Sequence, residues 1–86
     1  MRVHIPTPLR SYTTQQSEVQ AEGTTLADAL SALDHHYPGL RFRIITEQDM
    51  IRPHIRIFVN EEQAQDLTVS LRPDDQVYIV CALSGG

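Results

Sequence analysis

Four sets of residues in this 86-residue chain could do chemistry. They are the single thiol of Cys81, the imidazoles of His4, His35, His36 and His54, the adjacent carboxylates Asp74 and Asp75, and the pair Gly85-Gly86 behind the apolar run "VYIVCAL". A lone cysteine can serve as a nucleophile or conjugation site, but inside an apolar strand pattern it reads as a buried structural residue. Adjacent His35 and His36 point to different sides of a helix, and no Cys or His pair has zinc-site spacing, so no metal centre is expected. Protonated, these two would instead suit the C-terminal end of a helix dipole. Asp74 and Asp75 could form an acid/base pair, but "RPDDQ" has the composition of a tight turn. The glycines remain. A residue without Cβ adopts positive φ and lets backbone approach a partner closely, so a Gly-Gly segment can thread a channel in which a methyl group would collide.

Composition limits what such a segment can belong to. Eighty-six residues make one domain, spanning 1–86, near the small end of what folds alone. Hydrophobic residues at 41% and charged residues at 21% are ordinary for a globular chain and set aside disorder and fibrous classes. The formal net charge is -4 and the seven basic residues, all arginine, are scattered without a run. A nucleic-acid partner is therefore not expected, since it calls for a basic stripe, with interleaved aromatics for single strands. With no lysine, the chain offers no side-chain amine for isopeptide linkage. One cysteine excludes an internal disulfide, and "MRVHIPTPLR" lacks the apolar core of a signal peptide. The longest apolar run, Val77 to Leu83, falls far short of the roughly 20 residues that span a bilayer. A cytoplasmic protein without a membrane partner is expected.

The elements that must position the glycines are set by periodicity. "RVHIP" alternates, with Val3 and Ile5 on one side, and is closed by Pro6; "EVQAE" alternates again through Val19 and Ala21 up to Gly23. The two read as a hairpin joined by the loop "TPLRSYTTQQS". In "TTLADALSALDHHYPG" the apolar residues Leu26, Ala29, Leu30, Leu33 and Tyr37 fall three and four apart, predicting a helix capped by Thr24 or Thr25 and stopped by Pro38 and Gly39. "LRFRII" alternates through Leu40, Phe42 and Ile44, a strand-like pattern, and "HIRIFVN" gives the clearest strand. A turn at "NEEQ", a weak segment "AQDLTVSL" and the "RPDDQ" turn lead to "VYIVCAL", apolar on both alternating sets and so expected in mid-sheet. The order is strand, strand, helix, strand, short strand, strand. One main helix packed on one face of a mixed sheet of four to five strands is a two-layer α+β arrangement. With the last strand central, first and last strands are most economically parallel neighbours, which is the β-grasp, ubiquitin-like arrangement, a strand order that rests in part on the family resemblance that follows.

Along its whole length the sequence resembles the MoaD/ThiS family of ubiquitin-like sulfur carriers. "IPTPLR" is similar to the family's first strand with its trailing Pro and Leu-Arg, "TTLADALSALDHHYPGL" to its helix and turn, "IRPHIRIFVN" to its third main strand, and "LRPDDQVYIVCALSGG" to its closing turn, strand and tail. Asp74-Asp75 stands where members commonly have Gly-Asp, and Cys81 where they commonly have proline. The resemblance implies that residues 83–86 form a flexible tail whose Gly86 carboxylate is the reactive group. An E1-like adenylating enzyme would use ATP to convert it to an acyl-adenylate, and a sulfur donor would turn that into a thiocarboxylate. Gly85 and Ser84 would thread the tail into a partner. The chain itself would bind no cofactor and catalyse nothing alone. The sulfur-accepting enzyme would be the large molybdopterin synthase subunit, in molybdenum-cofactor synthesis, or a cysteine synthase, in a CysO-like role. A ubiquitin-like protein modifier would use the same adenylate.

A partner surface can also be read from alternation. If Ile55, Ile57 and Val59 face the helix, and Val77 and Ile79 do the same, then Phe58, Tyr78 and Val80 point the other way, with Arg56 at their border. One helix cannot cover both faces. These residues would then form an exposed apolar patch of the kind partners dock on, unless the register is shifted by one and the faces exchange.

Overall fold

The computed structural model describes residues 1–82 of the chain. Its strands are β1 (Arg2–His4), β2 (Glu18–Gln20), β3 (Ile55–Val59), β4 (Glu62–Gln63) and β5 (Gln76–Cys81), and its helices α1 (Leu26–His36) and α2 (Leu40–Ile44). The strands form one mixed sheet in the order β2-β1-β5-β3-β4. β5 lies at its centre, parallel to β1 and antiparallel to β3, as its doubly apolar sequence demands. This is the expected β-grasp arrangement.

The period of α1 turns Leu26, Ala29, Leu30 and Leu33 to the sheet, where all four are buried. They pack on Val3 and Ile5, on Ile55 and Ile57, and on Val77 and Ile79 in one hydrophobic core. Thr25 caps α1 by accepting from the Asp28 N–H at 3.2 Å, while the Asp28 carboxylate accepts from the Thr24 hydroxyl at 3.0 Å. The capping pattern is thus spread over both threonines. Further first-turn donors, Leu26 N–H and Ala27 N–H, are taken up by the carbonyls of Val69 and Leu67. That is the role of the weak segment "AQDLTVSL", which forms no strand and adds one isolated bridge, Thr25 to Ser70.

Two stretches depart from their sequence pattern. The alternation of "LRFRII" is not a strand but the short helix α2. Its first turn is satisfied from outside: the Asp34 carboxylate accepts from the N–H groups of Gly39 and Arg41, both at 3.1 Å, and Gly39 turns the chain at φ 96°. The helix keeps Leu40 and Ile44, four apart, on its buried face and turns Phe42 out, 54% exposed, beneath the Arg52 guanidinium. The segment "TPLRSYT" is not an irregular loop but a 3-10 helix over Thr7–Thr13 that buries Leu9 and Thr13. No helix among the described residues is long and apolar enough to cross a membrane.

Candidate partner face and exit of the chain end

Both helices pack their buried residues into the one core on the same side of the sheet, so among the described residues the other side stays uncovered. Strand pairing sets a row across that open face. Glu18 is opposite His4, His4 opposite Tyr78, Tyr78 opposite Phe58, and Phe58 opposite Gln63. One step along, Val80 is opposite Arg56. Burial fixes the register: Ile55, Ile57, Val77 and Ile79 are at most 3% exposed, whereas Tyr78 is 38% and Val80 42% exposed. Tyr78, Val80 and Phe58 therefore share the outer face, as alternation predicts. Phe58 is only half-exposed between its neighbours, and Val59 is not fully buried at the strand end. Arg56 is exposed and folds back to donate to the carbonyls of Pro53 and Ile55 at 2.7 and 3.1 Å.

At the end of β5 this face opens into a groove of about 570 Å³, lined by Pro6, Pro8, Arg10, Tyr78 and Val80 among others. Arg10 is aimed there by its Nε–H, which donates to the Ile5 carbonyl at 3.0 Å. The last described anchor of the chain is the Ala82 N–H, which donates to the His54 carbonyl at 2.7 Å and extends the β3–β5 pairing one step past Cys81. Ser84, Gly85 and Gly86 lie outside the described residues. The start of β5 is pinned as firmly. Asp75 accepts from the Arg72 N–H at 2.8 Å and from the Asn60 side chain at 3.0 Å, and Asn60 in turn accepts from the Gln76 N–H at 3.1 Å. The Asn60 amide and the Arg72 N–H hold the Asp75 carboxyl below the usual carboxylate range. Asp75 is thus a turn clamp.

The other candidates separate. Cys81 is partly buried at the edge of the core, and desolvation raises its thiol above the ordinary value, which disfavours the thiolate nucleophile. His35 and His36 are exposed in the last turn of α1, His54 is exposed ahead of β3, and His4 lies on the outer face. No group of His, Cys, Asp and Glu that could hold a metal ion occurs among the described residues. Neither the metal reading nor the helix-dipole reading of the histidines accounts for His4, whose ring stacks on Tyr78 with centroids 4.3 Å apart. The signal was present in "RVHIP". With Val3 and Ile5 inward, His4 must face outward, and parallel pairing with the last strand brings it to Tyr78.

Comparison with known proteins agrees with this architecture over the whole chain. The model of the ThiS family matches residues 3–86. The sulfur carrier protein CysO of Mycobacterium tuberculosis is 34% identical over 89 residues, covering 98% of this chain and 96% of that protein. The structure of a BexX/CysO complex from Amycolatopsis orientalis superimposes with a TM-score of 0.91 at 27% identity, covering 99% of this chain and 98% of the other. Small archaeal modifier protein 1 from Haloferax volcanii superimposes with a TM-score of 0.78 at 26% identity, covering 100% and 98%. An open-faced β-grasp domain, a central last strand leading to Gly-Gly, and a match from residue 3 to residue 86 together show that the chain belongs to the ThiS family of ubiquitin-like sulfur carriers.

Proposed function

We propose that this chain carries sulfur as a thiocarboxylate on Gly86, in the CysO-like role, feeding the synthesis of cysteine or another sulfur metabolite. The observation that carries the reading is the end-to-end likeness to CysO, which favours it over the molybdopterin synthase role. Carboxylate oxygen is a poor leaving group, so the terminus must be activated. A Gly86 carboxylate oxygen attacks the α-phosphorus of ATP and pyrophosphate leaves. A sulfide-level nucleophile then attacks the acyl carbon, the bond to AMP breaks, and AMP departs with the electron pair. Activation and sulfur delivery belong to partner enzymes, an E1-like adenylating enzyme first and a sulfur acceptor such as a cysteine synthase afterwards. ATP is the activating enzyme's substrate and no cofactor is assigned to this chain.

The exposed Tyr78 and Val80, with Phe58 beside them and Arg56 at the border, are the docking face in this reading. A patch of this kind next to the chain exit suits a partner whose active site must receive the tail. ATP–pyrophosphate exchange with the host's adenylating enzyme tests it. Deleting Gly86 should abolish exchange with the thermal transition unchanged, and Val80→Glu should reduce it at least tenfold while the protein stays folded, roughly the loss of one interface anchor. Full exchange by either variant would refute the corresponding assignment.

A second reading is favoured by the likeness to small archaeal modifier protein 1. As a modifier, the same adenylate would pass Gly86 to lysines of other proteins, and the chain's own lack of lysine would prevent side-chain-linked chains of itself. Adducts on larger proteins in the native host, rather than sulfur on the free terminus, would mark that role.

A further inference from the structure

We infer that His4 is a positioning residue, holding the Tyr78 ring flat on the outer face so that the partner meets a preformed aromatic platform beside the groove. The inference rests on the docking reading above. His4 and Tyr78 are cross-strand partners in the parallel β1–β5 pair, but pairing alone does not orient two rings, because opposed side chains have several rotamers open to them. Here the planes are 6° from parallel with centroids 4.3 Å apart. Such a stack needs one ring to be fixed, and His4 is the fixed one.

Its Nε2 lies 2.8 Å from Gln76 Oε1. An amide oxygen only accepts, so in this arrangement Nε2 carries the proton. The opposite nitrogen, Nδ1, faces Glu18 Oε2 at 3.9 Å, and the other oxygen of that carboxylate lies 3.4 Å from Arg2 Nε. The imidazole is thereby bracketed by residues from the two neighbouring strands, Glu18 of β2 and Gln76 of β5. Tyr78 has no such tether: its hydroxyl makes no hydrogen bond among the described residues, and the ring is more than a third exposed. What orders it is the imidazole stacked on its face. A side chain ordered before docking need not be ordered by docking, so His4 improves binding without touching the reacting atoms.

Kinetics of ATP–pyrophosphate exchange, with the carrier as varied substrate of the host's E1-like enzyme, provide the test alongside NMR of the free protein. His4→Ala should raise the KM for the carrier by roughly two- to tenfold, the range for ordering one side chain, with kcat unchanged. It should also remove the upfield ring-current shift of the Tyr78 ring protons. Gln76→Ala, which removes the bond that fixes the imidazole, should move both readouts in the same direction as His4→Ala, and His4→Phe, a flat ring without that bond, should restore them only in part. If Tyr78→Ala raises KM and His4→Ala leaves it unchanged, or if Gln76→Ala leaves both readouts unchanged, the positioning role is overturned while the docking face stands. If neither Tyr78→Ala nor His4→Ala moves KM, the docking reading itself fails and the inference goes with it.

Discussion

Individual carboxylates in this protein act as braces. Asp28 and Asp66 accept from neighbouring threonine hydroxyls and N–H groups, and Asp75 from Asn60 and Arg72. These donors favour the charged form and lower all three carboxyls from their ordinary value. A carboxyl whose folded value is depressed adds stability that is fully present above its unfolded value and is lost as pH falls through the folded one. The thermal midpoint should therefore fall as pH drops below about 4, the ordinary carboxylate range. Asp75→Asn should melt below the native protein at neutral pH, and the gap should narrow to nothing in acid. Melting curves across that range check the point, and a gap independent of pH would contradict it.

Elements are held by what flanks them as much as by their own periodicity. Gly23 marks this at the start of α1: at φ 149° its Cα lies where an added Cβ would come within 2.7 Å of the Asp28 Cβ and 2.8 Å of the Ala29 nitrogen. Gly23→Ala should consequently displace the first turn of α1 and cost more than the cap itself. Thr25→Ala, removing the cap, should cost about 1 kcal/mol, or about 4–8 °C in the melting midpoint of a domain this size. Chemical denaturation of both variants gives the ranking, and a Gly23→Ala loss below that of Thr25→Ala would contradict the close approach. The same dependence on flanks explains what the sequence reveals. α1 and β3 are legible because Leu26, Ala29, Leu30 and Leu33, or Ile55 and Ile57, keep their period over a full element, and β5 because Val77 to Cys81 is apolar throughout. α2 is not, because five residues give Leu40, Phe42 and Ile44 two consistent readings, and Asp34, supplied by the preceding helix, decides between them. The outer face is legible in Tyr78 and Val80 once the inner face is set, whereas the fixed geometry of His4 depends on Gln76 and Glu18 meeting it across strands.

At the scale of the whole molecule, one layer of helices covers one face of one sheet, and the central strand is the last. That order carries the chain along the middle of the sheet to Ala82, whose N–H donates to the His54 carbonyl just past β5. In the proposed role, this order would offer a partner the open sheet face together with the Gly-Gly terminus. The absence of lysine is consistent with a chain that delivers an activated acyl group, since it removes side-chain amines that could capture that group on another copy. Intact-mass analysis of the protein isolated from its host, or after incubation with the host's adenylating enzyme, ATP and sulfide, distinguishes a thiocarboxylate at Gly86 from a plain carboxylate. The expected product has sulfur in place of one terminal oxygen and is absent when Gly86 is deleted; a terminus that remains a plain carboxylate with the adenylating enzyme active would contradict the carrier role.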